Sequence, residues 1–139
     1  MIFRRLSIPL TELREHVDPV AGELWGCQTL LTEDEIKQAE SDGRFESTPW
    51  DTVKDQRHGP GSRDFHIGRI AYLVQHGWQD DEHTIRLNLD TTLGKSIGID
   101  NGNHRICAAL VRGDESLNVS VYFFDEADLA RLLPGATEL

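Results

Sequence analysis

The chain has 139 residues, 38% of them hydrophobic, with 3 Trp and 5 Phe, which is enough to close one hydrophobic core. Its 24 acidic residues outweigh 14 Lys and Arg, and the formal charge of -10 repels nucleic acid and argues against a duplex footprint. No run approaches the roughly eighteen apolar residues of a membrane span.

The start Met1-Ile2-Phe3-Arg4-Arg5 has no signal-type apolar core, and Cys27 and Cys107 fall in no metal or redox spacing. A cytoplasmic, reduced, disulfide-free domain is therefore expected. Phe3 to Leu10 read as an opening strand with Pro9 at its end, where a missing N–H is tolerated. Thr11 suits the cap of a short helix running towards His16, and Val20 to Leu30 fit neither the helical nor the strand period. Thr32-Glu33-Asp34-Glu35 is a capping box opening a helix that carries Ile36 and Ala39 and ends near Gly43. Arg44 to Gly61 form a polar loop broken by Pro49, Gly59 and Pro60, with Trp50 pinning its middle.

A second helix is expected from Ser62 or Asp64 to His76, stopped by Gly77, with Phe65, Ile70, Leu73 and Val74 on its apolar face. In its first turn Asp64 suits a cap and His66 a surface position. Asp80-Asp81-Glu82-His83 has the character of a solvated rim, and no metal site is expected. Thr84 to Leu89 alternate as a half-buried strand, and Ser96 to Ile99 read as another. A helix then follows Gly102 to Arg112, a Val- and aromatic-rich strand covers Asn118 to Phe124, and an amphipathic helix runs from Glu126 to Leu133. This order predicts an α+β fold, a mixed sheet with packed helices, as one compact domain over residues 1–139.

The chemistry concentrates in Ile97-Gly98-Ile99-Asp100-Asn101-Gly102-Asn103-His104-Arg105-Ile106-Cys107. A strand ends in a polar turn at Gly102, and a helix opens on Asn103, His104 and Arg105. Helix-start N–H groups, an imidazole and a guanidinium around one point suit a phosphate or another anion. Gly102 frees the backbone to turn or approach a ligand, Asn103 suits the helix cap, Arg105 offers a bidentate fork, and His104 a proton donor or acceptor. A local Asp100–Arg105 ion pair around a plain tight turn is the competing structural account.

The run Ile99-Asp100-Asn101-Gly102-Asn103-His104-Arg105 with Cys107-Ala108-Ala109 resembles the signature loop and helix of the ParB/sulfiredoxin superfamily. The opening Leu6-Ser7-Ile8-Pro9-Leu10, the helix with Ile67-Gly68-Arg69-Ile70 and the strand Val119-Ser120-Val121 extend that resemblance across most of residues 3–124. The resemblance implies the ParB/sulfiredoxin-like fold, with Gly102, Asn103, His104 and Arg105 holding a nucleotide (ATP, ADP or CTP, with Mg²⁺), and His104 and Asp100 as catalytic groups. Asn103 stands where sulfiredoxins carry their catalytic cysteine. Gly102-Asn103-His104-Arg105 stands where CTP-binding members carry Gly-Glu-Arg-Arg, and no helix-turn-helix module is expected after Leu139. Free-serine kinases of the same fold transfer phosphoryl groups, and there Asp100 would serve as base or orient His104 or Arg105.

Two readings stay open. One is a nucleotide- or phosphate-binding domain with phosphotransferase or nucleotide-hydrolase activity. The other is a non-enzymatic acidic module, such as a phage or accessory factor, that binds a partner protein, with Trp25, Trp50 and Trp78 as residues of interest. A nuclease is disfavoured by the charge and by the lack of a two-metal carboxylate set.

Overall fold

The computed structural model describes residues 1–21, 30–53, 62–79, 85–89 and 96–139. In chain order the elements are β1 (Ile2–Pro9), α1 (Leu10–Arg14), a 3-10 turn (Pro19–Ala21), α2 (Glu33–Asp42), α3 (Trp50–Val53), α4 (Arg63–His76), β2 (Arg86–Leu89), β3 (Gly98–Asn101), α5 (Asn103–Arg112), β4 (Ser116–Phe123), α6 (Glu126–Leu132) and β5 (Thr137–Glu138). This is an α+β chain with a mixed sheet. It divides into a sheet unit (Met1–Asp18, Asp80–Gly102 and Asp114–Leu139) and a helical unit (Pro19–Gln79 and Asn103–Gly113). Trp25, Cys27 and the acidic run 80–83 lie outside the described residues.

The sheet has the order β3-β2-β4-β1-β5, with β2 and β4 parallel and the other pairs antiparallel. Alternation explains the register. Leu6 and Ile8 pair with Val119 and Leu117, while Leu87 and Leu89 pair with Val121 and Phe123, so each buried apolar strand residue meets another on the same face. The short helices of this unit bury Leu10, Leu13, Leu129 and Leu132. Arg4 grips both carboxylate oxygens of Glu126 and lies 5.7 Å over the Phe123 ring.

Three local expectations change. Pro9, not Thr11, precedes α1, and no side chain caps it. β3 starts at Gly98 and runs to Asn101, because its partners are Arg86 to Asn88 of β2. The two-residue β5 on the edge of β1 is too short to leave a pattern in the sequence.

In the helical unit the capping box forms as expected. The Thr32 hydroxyl accepts the Glu35 N–H at 3.2 Å, and Glu35 also pairs with Arg63 of α4. Arg63 donates to the Leu30 carbonyl as well, at 3.0 and 3.2 Å, and hydrogen bonding from Arg63 lowers the Glu35 pKa. α2 ends in a left-handed Gly43, with the Gly43 and Arg44 N–H groups returned to the Glu40 and Ala39 carbonyls. Ile36, Ala39, Ile67, Ile70, Ala71, Leu73, Cys107 and Ala108 form the core of this unit. Among the described residues no helix is long and apolar enough to cross a membrane.

Gly102 and Gly113 both have positive φ, +100° and +82°, but a Cβ on Gly102 would lie 2.8 Å from Ile85 Cγ1, whereas one on Gly113 meets nothing within 4 Å. Gly113→Ala should therefore cost about 1 kcal/mol of backbone strain, and Gly102→Ala about 2 kcal/mol or more, because overpacking adds to the strain. Urea unfolding midpoints check the difference, and equal losses would contradict it.

Candidate functional site

The site in the helical unit starts with how the loop after α2 is fastened. The Gly68 carbonyl accepts the Glu46 N–H at 3.0 Å, and a Cβ on Gly68 would lie 3.3 Å from Glu46 Cβ, so a glycine on α4 lets this loop lie against the helix. Arg69, the next residue, donates to the Ser47 and Glu46 carbonyls at 3.1 and 3.4 Å, and its guanidinium lies 5.2 Å over the Tyr72 ring. The chain then enters α3, where Trp50 packs 4.6 Å from the His66 ring and 5.5 Å from Phe65. Trp50 thus pins the loop, as its sequence position suggested.

His66 is fully buried, not a surface residue. α4 buries Phe65, His66, Ile67, Gly68, Ile70, Ala71 and Leu73, a face broader than one stripe. Asp64 is exposed and does not cap the helix, since the cap position falls on Ser62. His66 Nδ1 lies 2.8 Å from His104 Nε2 on α5, with the rings stacked at 5.0 Å and 27°. Such a bond needs one N–H and one lone pair, so the two imidazoles share a single bridging proton.

His104 is 8% exposed, and its pKa is held well below the ordinary histidine value, first by burial, then by its coupling to His66 and by the positive charge of Arg69 and Arg105. Desolvation also lowers the Arg69 pKa. The first two turns of α4, with His66 and Arg69, and the first turn of α5, with His104 and Arg105, thus carry four cation-capable side chains.

Asp100 to Arg105 of the signature run divide between the units. Asn103, His104 and Arg105 open α5 in the helical unit, whereas Asp100, Asn101 and Gly102 belong to the sheet unit. Asp100 is exposed on β3, and its Oδ1 accepts a 2.6 Å bond from Asn88 Nδ2. Asn103 is not the helix cap. The chain turns at Gly102, which puts Asn103 inside the first helical turn, and its Oδ1 is buried with no hydrogen-bond partner among the described residues. Arg105 is half-buried. Sequence reasoning gave His66 and Arg69 little or no weight, because their role depends on a contact across 38 residues of chain. The signal was present in Phe65-His66-Ile67-Gly68-Arg69, a histidine between apolar neighbours beside a helical glycine. Among the described residues no three His, Cys, Asp or Glu side chains gather in a metal-ligand cluster.

Comparison with protein-family models, with curated proteins and with solved structures returns no match.

The depressed His104 pKa has a definite sign for stability. Below about pH 6.5 the unfolded chain takes up a proton at His104 that the folded chain refuses, so stability is present above that pH and lost as pH falls. The slope for one proton approaches about 1.4 kcal/mol per pH unit. Urea titrations at a series of pH values should show this loss in the wild type and a flatter profile in His104→Gln. Equal slopes in the two proteins would contradict the assignment.

Proposed function

We propose that the chain is a nucleotide- or phosphate-binding domain whose anion sits at the opening turn of α5. The first N–H groups of a helix have no intrahelical partners, and the helix dipole places partial positive charge there. The observation that carries the reading is the setting of buried His104, bonded to His66 at 2.8 Å at the start of α5. Arg69 and Arg105 both act on it, beside the hydrogen-bonded His66, inside a protein of net charge -10. A concentrated positive field in an acidic chain calls for a negative ligand. The resemblance of Asp100 to Arg105 to the ParB/sulfiredoxin signature points to the same chemistry.

Arg105 would supply the fork for a phosphate, with the Asn103 to Arg105 backbone at the helix start and Arg69 adding charge. Half-buried Trp50 offers ring surface beside the cluster. Magnesium would arrive on the nucleotide's own phosphates, since no cluster of metal ligands is assembled among the described residues. His104, held neutral at pH 7, suits a proton acceptor if phosphoryl transfer or hydrolysis follows binding. Asp100 is engaged by Asn88 on the sheet, and this reading gives it no part.

Calorimetric titration with CTP, ATP, ADP and GTP, with and without Mg²⁺, tests the proposal. Saturable binding weakened by about tenfold or more in Arg105→Ala is expected, the effect of losing a charge-assisted hydrogen bond. No binding by the wild type across the set would overturn it.

A further inference from the structure

The sheet unit carries a second site, on the face opposite its buried leucines and valines. Strand register aligns Phe3, Tyr122, Asn88 and Gly98 in one row across four strands, and Arg5, Ser120, Arg86 and Asn101 in the next. A cavity of about 460 Å³ opens on this face, lined by Arg86, Asn88, Asp100, Tyr122 and Phe124 among others, within the size range of small-molecule sites.

Its polar edge is fixed by a glycine. A Cβ on Gly98 would lie 2.8 Å from Asn88 Nδ2 and 3.0 Å from Asn88 Oδ1, so the bare backbone of β3 lets the Asn88 carboxamide lie across it and donate to Asp100 Oδ1 at 2.6 Å. One Asn88 N–H, the Asp100 Oδ2 and a second lone pair on Asp100 Oδ1 remain for a ligand. The Arg86 side chain is exposed and has no hydrogen-bond or ion-pair partner among the described residues, in a chain where acids outnumber Lys and Arg 24 to 14. The apolar wall is aromatic. The Tyr122 ring packs 4.8 Å from Phe3, and Phe124 is 64% exposed.

We propose that this cavity binds a free guanine mononucleotide, a ligand class distinct in place from the anion at α5. The lining sets three demands: a flat ring for Tyr122 and Phe124, adjacent N–H donors beside an acceptor for Asp100 and Asn88, and one anionic group for Arg86. Guanine presents that donor–donor–acceptor edge. Adenine, cytosine and uracil each set a lone pair where Asp100 needs a second donor. A single phosphate satisfies Arg86, whereas the additional phosphates of a strand meet the repulsion of a protein with charge -10.

Calorimetry of the full chain with GMP, IMP, AMP, guanosine and a short guanine-containing oligonucleotide tests this. GMP should saturate, while IMP, which lacks the 2-amino donor, and guanosine, which lacks the phosphate, each bind about tenfold or more weakly. The oligonucleotide should bind more weakly than GMP. Arg86→Ala should reduce GMP to the level of guanosine, and Gly98→Ala, by displacing Asn88, should weaken GMP as well. Repeated in an Arg105→Ala background, which disables the α5 anion site, GMP should still saturate with the same preference over IMP and guanosine, which separates this site from the α5 reading. Thermal melts of Arg86→Ala, whose side chain is exposed, confirm that the variant is folded. GMP binding that is absent, equal for IMP, unaffected by Arg86→Ala, or lost in Arg105→Ala overturns the proposal.

Discussion

One hydrogen bond between two buried imidazoles, His66 Nδ1 to His104 Nε2, joins the opening turns of α4 and α5. Its chemistry constrains its surroundings. The bond exists while one ring offers a lone pair to the other's N–H, and two protonated rings would repel. The protein keeps His104 unprotonated by burying it and by placing positive charge around it. The helical unit is therefore committed to a neutral histidine pair near neutral pH. Its packing around the pair, with Trp50 on one side and the Gly68 contact holding the preceding loop, serves that commitment.

The same arrangement carries an electrostatic cost. Arg69 is partly desolvated and spends donors on two backbone carbonyls, and together with Arg105 it sets a positive field on an imidazole that must not take a proton. Arg69 also holds the loop after α2 through the Glu46 and Ser47 carbonyls. An anion at the start of α5 would offset the field and use the helix-start N–H groups, turning a costly cluster into a binding site. The sheet unit holds a different polar device. A missing Cβ at Gly98 allows one carboxamide to fix one carboxylate beside Arg86, whose side chain has no partner among the described residues.

Much of the fold was legible because local physics decides it. The Thr32 capping box, the stops at Gly43, Gly77 and Gly113 and the alternation in β2 appear in the structure where the sequence put them, and the Val- and aromatic-rich strand appears as β4, two residues longer at its start. The α1 cap and the β3 start shifted because a proline boundary and a pairing partner, not local residues, set them. The candidate site was half legible. Asn103, His104 and Arg105 do open a helix after a left-handed glycine, but capping by Asn103 and a surface role for His66 both failed. His66 was misread because its burial comes from α3 and α5, which no periodicity within α4 records. Asp100 likewise looked like a partner for its sequence neighbours, while the neighbouring strand supplies Asn88.

The most direct measurement is a pH titration of the histidine ring nitrogens by NMR, with and without saturating inorganic pyrophosphate. Without the anion, His104 should stay neutral well below the ordinary histidine range near about pH 6.5, sharing one bridging proton with His66. Bound pyrophosphate should raise the His104 pKa by offsetting Arg69 and Arg105. A His104 that titrates in the ordinary range without ligand, or a depressed pKa that saturating anion leaves unmoved, would contradict the account.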